Sequence, residues 1–160
     1  MFFLILVVVF CFGFVLLFGP PYLPTLKKQI ESTFDVLELK EGDTLIELGS
    51  GDGKILIAAA KKGYSAIGYE LNPLLFVISK IRTLPYGKKI KVYCCNFWNV
   101  DLPKADAIYT FLLKRQMSRL DQKLEGYKYK PLKLVSFAFK IPSKKIIQQK
   151  DGIFLYKYNK

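Results

Sequence analysis

Histidine is absent from all 160 residues, and there is a single tryptophan. Without histidine the chain cannot build Ser-His-Asp or Cys-His nucleophilic machinery, and a histidine-ligated metal is excluded. No metal site is expected. The three cysteines do not make a framework. Cys11 lies in an apolar run, and Cys94 and Cys95 are adjacent in an expected strand, where their side chains would point to opposite faces. They read as small apolar core residues of a chain kept reduced. Acidic residues are also scarce: 13 stand against 25 Lys and Arg, leaving a formal charge of +12. The length admits one domain plus a short appendage.

Charge is missing altogether from Met1 to Phe18. As a helix this run would rise about 27 Å, the thickness of a bilayer's hydrocarbon core. A cleaved signal peptide would want Lys or Arg before the apolar run and small residues after it, but Gly19-Pro20-Pro21 follow directly. Residues 1–18 are therefore expected to be an uncleaved, single-pass membrane anchor. Lys27-Lys28 follow the run and no cation precedes it, which places the body of the protein on the cytoplasmic side, or the matrix side in an organelle.

Residues 19–43 read as a connector and first helix, and residues 44–160 as the main domain. Prolines at 20, 21 and 24 keep the connector extended, and Thr25 can cap a helix to about Leu37 with Ile30, Phe34 and Leu37 on one face. Strands are expected over Thr44–Leu48, Ala66–Tyr69, Ile90–Cys94, Ala105–Leu112 and Leu132–Phe139. Helices are expected over Gly53 to about Lys62, Pro73 to about Arg82, and Arg115–Glu125. That alternation implies an α/β domain with a mostly parallel sheet covered on both faces. Lys145–Gln149 and Ile153–Tyr158 flank Asp151-Gly152, a hairpin signal, so the sheet should end in an antiparallel pair.

The first strand runs into Glu47-Leu48-Gly49-Ser50-Gly51-Asp52-Gly53. A glycine-rich turn between strand and helix brings a ligand close to the backbone. A dinucleotide loop counted from Gly49 would need glycine at position 54, and Lys54 is there. Glu47 and Asp52 would repel a pyrophosphate, whereas they favour the sulfonium and ammonium of S-adenosylmethionine. Glu70 ends the second strand, where an acid accepts hydrogen bonds from ribose hydroxyls. Asn96, after the third strand, can pair with the adenine edge, and Phe97 offers a surface for the ring. The expected cofactor is S-adenosyl-L-methionine, bound by Glu47, Gly49, Ser50, Gly51, Asp52, Gly53, Glu70, Asn96 and Phe97.

Pro21-Tyr22-Leu23-Pro24-Thr25, the glycine loop through Lys54, Ala58-Ala59-Ala60-Lys61 and Gly68-Tyr69-Glu70-Leu71-Asn72-Pro73 resemble a group of small protein-lysine methyltransferases. The group includes membrane-anchored mitochondrial enzymes acting on the c-ring protein of ATP synthase and on the adenine nucleotide translocase, and a soluble archaeal enzyme of broad specificity. The likeness covers about residues 19–142. It implies a Rossmann-like, seven-stranded class I methyltransferase fold and a protein substrate with an accessible lysine, at or near a membrane. It also implies that the Pro-Tyr-x-Pro-Thr segment folds over the cofactor, with Thr25 and Tyr22 lining the site. Tyr22, Tyr109 and Phe111 are the candidates for a channel that aligns and desolvates the amine. Tyr109 and Phe111 read equally well as core residues of a buried strand, and Tyr22 as an aromatic at the membrane interface.

Basicity raises a second class, nucleic-acid methylation. The Asn/Asp-Pro-Pro-aromatic loop of amino-methylating enzymes and the Pro-Cys of cytosine-C5 enzymes are both missing. No specific nucleic acid is expected, and the dispersed lysine pairs read as a face meeting anionic lipid. A small-molecule, lipid or RNA methyltransferase, or a non-catalytic anchored module, are the alternatives.

Overall fold

The computed structural model describes residues 26–159. The expected anchor over 1–18, the proline-rich connector and the cap at Thr25 lie outside the described residues, as do Tyr22 and Thr25 themselves. Among the described residues no helix is long and apolar enough to cross a membrane.

Helix α1 spans Lys27–Leu37 and ends where Glu38 turns into the left-handed region. Lys133 then grips the freed end, donating to the Leu37 and Glu38 carbonyls. Strand β1 (Thr44–Leu48), helix α2 (Lys54–Lys61), strand β2 (Ser65–Glu70), helix α3 (Pro73–Thr83) and strand β3 (Ile90–Cys94) follow. Asn72 caps α3 by accepting from the Leu74 and Leu75 N–H groups, and Pro73 takes the first helical position, where no N–H is needed. Strand β4 (Ala107–Thr110), helix α4 (Met117–Glu125), strand β5 (Leu132–Phe137), strand β6 (Gln148–Lys150) and strand β7 (Ile153–Tyr158) complete the order.

The seven strands lie in one sheet in the order β3-β2-β1-β4-β5-β7-β6. The first five are parallel, and β7 is antiparallel to both β5 and β6. The parallel sheet and closing hairpin expected from the sequence are present. One face packs Leu45, Val92 and Val135 against Leu37 of α1 and Ile55, Leu56 and Ala59 of α2. The other packs Ile46, Leu48 and Ile108 against Met117, Leu120 and Leu124 of α4. No α-helix joins β3 to β4 or β5 to β6. Trp98, Val100, Leu102, Phe139, Ile141 and Ile146 cover that face from the connecting loops instead.

Several boundaries differ from the sequence expectation for identifiable reasons. Strand four, expected over 105–112, forms only over Ala107–Thr110, because the Tyr127 hydroxyl accepts the Ala105 N–H and donates to the Pro103 carbonyl, holding that approach out of the sheet. Strand five stops at Phe137 rather than Phe139, since Ala138 takes φ 67° and Ser136 donates to the Phe139 carbonyl. The helix expected from Arg115 opens as a 3₁₀ turn over Lys114–Gln116 before α4 begins. Cys94 and Cys95 are not core residues: Cys94 is exposed and Cys95 half-buried, because no helix covers the end of edge strand β3.

Candidate functional site

β1 and β4 are neighbours, while the chain leaves β1 through α2 to reach β2 on the other side. This reversal opens a crevice at the carboxyl ends of the strands, where open α/β sheets bind ligands. The glycine loop lies there. Gly49 and Ser50 N–H groups both donate to the Tyr69 carbonyl at 2.9 Å, and Gly53 N–H donates to the Ser50 carbonyl at 2.9 Å. Gly51 N–H donates to Glu70 Oε2 at 2.7 Å. These four N–H groups are bonded within the protein and are not offered to an anion, the opposite of a phosphate cradle. Gly49 has φ +84°, and a Cβ there would meet nothing within 4 Å, so its side of the loop is open.

Glu70 is the hub of the site. Its second oxygen, Oε1, accepts the Asn72 N–H at 2.7 Å, so the carboxylate ties the loop to the start of α3. A carboxylate oxygen has two acceptor positions, so both oxygens keep capacity for hydroxyl donors. The side chain is buried, and burial raises its pKa while the N–H groups of Asn72, Gly51 and Leu71 pull it back down. Asn96 lies two residues beyond the end of β3, whose Cys94 is in register with Glu70. Its Oδ1 accepts the Trp98 N–H at 3.1 Å.

The other residues expected in the site fall elsewhere. Glu47 is only 4% exposed and in register with Gly68 and Tyr109, under the loop. Burial first, then the charges of Glu70 and Asp52, raise its pKa well above the usual value, although the Leu56 N–H opposes this. One of its oxygens has no partner. Asp52 pairs with Arg82 and, at 3.5 Å, with Lys54, so its charge is answered inside the chain. Phe97 is a buried core residue tilted against Trp98, with centroids 4.5 Å apart, and offers no free face for an adenine. Tyr109 is 1% exposed and belongs to the core beside Leu45 and Val135, which is the core reading of the two held open for it. Phe111, just past β4, is half-buried with its ring against Phe137 at 4.6 Å. Ser50 and Gly53 complete the loop, Ser50 with a buried hydroxyl that lacks a partner.

Asn72 is the site residue that sequence reasoning passed over. It is buried, its Oδ1 caps α3, and its Nδ2 has no partner beside Glu70's backbone partners. The signal was present as Asn-Pro, a cap followed by a first-turn proline. A buried donor without a partner costs about 1–3 kcal/mol, so a ligand atom accepting from Asn72 or Ser50 would relieve a standing penalty. The open side of Gly49, the acceptor capacity of Glu70 and these two orphaned groups fit a neutral nucleoside better than a phosphate.

The family model of the ANTKMT methyltransferase domain matches residues 47–148, from Glu47 through the loop to the start of β6. The chain belongs to this family. Among its relatives is the human lysine N-methyltransferase named for the c-ring protein of ATP synthase, 36% identical over 124 residues that cover 76% of this chain and 53% of that protein. A protein-lysine N-methyltransferase of Saccharolobus islandicus is 29% identical over 148 residues, 85% of this chain and 92% of the relative. The chain spans about half the length of the vertebrate relatives it matches. An RNA methyltransferase from Salinibacter ruber superposes with a TM-score of 0.76 at 23% identity, covering 85% of this chain and 92% of that one. At that identity the likeness is one of fold: this family member has the class I methyltransferase fold.

Proposed function

We propose that the chain transfers methyl groups from S-adenosyl-L-methionine to lysine side chains of proteins at or near a membrane. The observation that carries the reading is Glu70, bridging the glycine loop and α3 through the Gly51 and Asn72 N–H groups. Family membership and the lysine acceptors named for the human and archaeal relatives support it.

Glu70 would accept the ribose hydroxyls, Asn96 would meet the adenine edge, and the bare Cα of Gly49 would let the cofactor lie against the loop. When bound, S-adenosylmethionine supplies a methyl group already activated by its sulfonium. The protein's work is then alignment of the acceptor, the proximity and orientation term of catalysis. It must also let a lysine shed its proton. Phe111 and Phe137 form an apolar pair beside the end of β4, and such surroundings disfavour the ammonium form. Tyr22 and Thr25 are proposed to close the site from the connector. The uncharged run Met1–Phe18 is proposed to hold the domain at the membrane, on its cytoplasmic or matrix side, which fits a lysine presented close to the bilayer.

The test is to incubate the full chain with membranes and methyl-labelled cofactor, then hydrolyse and separate the products. Label is expected as methyl-lysine in protein. Label in lipid or RNA with none in protein would overturn the choice of acceptor, and cofactor binding without turnover would leave a binding module.

A further inference from the structure

Helix α3 is amphipathic the wrong way round. Its buried positions include Ser79 and Thr83, at one and two turns from Leu75. Ser79 is inside because the Gly53 backbone presses on it: a Cβ on Gly53 would lie 2.6 Å from Ser79 Oγ. The outer face carries the aliphatics. Val77 is 48% exposed, Ile81 62% and Leu84 71%, with Ile78 beside them also exposed. Positions 77, 81 and 84 follow the one-sided helical spacing, so they make a continuous stripe. Isolated exposed aliphatics mean little, but a stripe on one helix marks a contact surface.

The charges around the stripe identify its partner. From Pro73 to Cys95 there are five cations, Lys80, Arg82, Lys88, Lys89 and Lys91, and no acidic residue. Arg82 is paired with Asp52 in the loop, which leaves four lysines exposed along the helix, the following turn and the edge strand. An aliphatic face rimmed by cations is the pattern of a helix lying in the headgroup region of an anionic membrane. We infer that α3 docks flat on anionic lipid through Val77, Ile78, Ile81 and Leu84, with Lys80, Lys88, Lys89 and Lys91 on phosphate headgroups. This rests on the membrane reading above and deepens it. A tether alone would let the domain tumble, whereas this contact would set its orientation, with the capped start of α3 and Glu70 at the bilayer.

The full chain, reconstituted in vesicles, would test it. An I81W probe is compared in phosphatidylcholine brominated on its acyl chains, with and without phosphatidylglycerol, against the background of Trp98 in the unsubstituted chain. Quenching of the probe that requires phosphatidylglycerol is expected, and the lipid concentration for half-quenching should rise at least about tenfold in K88E/K89E, two lysines being removed. Flotation of the chain with vesicles but an unquenched probe would overturn the docking surface and leave the membrane reading standing. Failure to float with either vesicle would overturn both, without touching methyl transfer, which is read separately in detergent. A lipid-free dimer weakened by V77D would instead assign the stripe to a second copy. Unchanged melting temperatures of I81W, V77D and K88E/K89E establish that each variant is folded.

Discussion

Replacing Glu70 by alanine would strip two backbone N–H groups of their acceptor and remove the proposed ribose contact together. Hydrogen bonds to a charged acceptor contribute about 1.5–3 kcal/mol each. Calorimetry with the cofactor should therefore show E70A weakened at least about a hundredfold, with E70Q intermediate because one acceptor oxygen survives. Glu47 gives a prediction of opposite sign. Its pKa in the folded protein is raised above the usual 4.5, so the folded state holds that proton more tightly than the unfolded chain. The associated stability is complete below the unfolded value and is lost as pH rises through the folded one. E47Q should therefore melt higher than the parent protein at pH values above the raised pKa, and its melting temperature should depend less on pH. Scanning calorimetry across that range checks both points. A lower melting temperature for E47Q throughout would mean that the charged form is needed under the loop.

At the scale of elements, the packing of α2 on β2 depends on a missing side chain. A Cβ on Gly68 would lie 2.6 Å from Leu56 Cδ1 and 2.8 Å from Ser50 Cβ, so G68A must push the helix or the loop aside. Overpacking of this kind costs about 1–3 kcal/mol, and denaturant unfolding should show a midpoint lowered accordingly. Tyr127 predicts a second element-scale effect. Y127F leaves the Ala105 N–H without its acceptor, and the approach to β4 should loosen, seen as faster hydrogen exchange at Ala105 with about 1–3 kcal/mol lost in unfolding. Elements defined by local chemistry were legible in the sequence. β1, β2, β3 and β7 are apolar runs bounded by turn residues, and Asp151-Gly152 marks its hairpin locally. Glu70 was legible because a strand end and a spacing suffice to place it. The facing of Glu47, Phe97 and Tyr109 was not. A strand buried on both faces is apolar throughout, so its sequence does not say which side chain looks toward the crevice and which into the core. The true ends of β4 were hidden too, because a hydroxyl about twenty residues away sets one of them.

Across the whole molecule, the face without crossover helices is held by one polar junction. Asp121 of α4 accepts from Ser143 and from Tyr158 of β7, each within hydrogen-bonding distance, and meets Lys144 at 3.6 Å. Burial alone would raise its pKa, but the hydroxyls of Ser143 and Tyr158 and the Lys144 ammonium outweigh that and lower it. The sign is now that of a stabilising carboxylate, present above the usual 3.8 and lost as pH falls through the lowered value. D121N should thus lose stability at neutral pH and show a flatter acid limb than the parent protein. Equal acid sensitivity in the two would argue that the junction contributes nothing.

The order of strands also bears on how the chain comes off the ribosome. Everything proposed to hold the cofactor among the described residues, from Glu47 to Asn96, lies in the β1–β3 half, which closes through neighbouring segments. The other half cannot begin until β4 slides in beside β1, as in the contact of Thr110 with Leu48, 62 positions earlier. It cannot finish until the last strand, β7, enters between β5 and β6. Distant pairings of this kind are slow to form. A nascent chain could therefore present a formed donor site while its acceptor side is still an open sheet edge, and cofactor added during translation should shorten the time that edge stays uncovered.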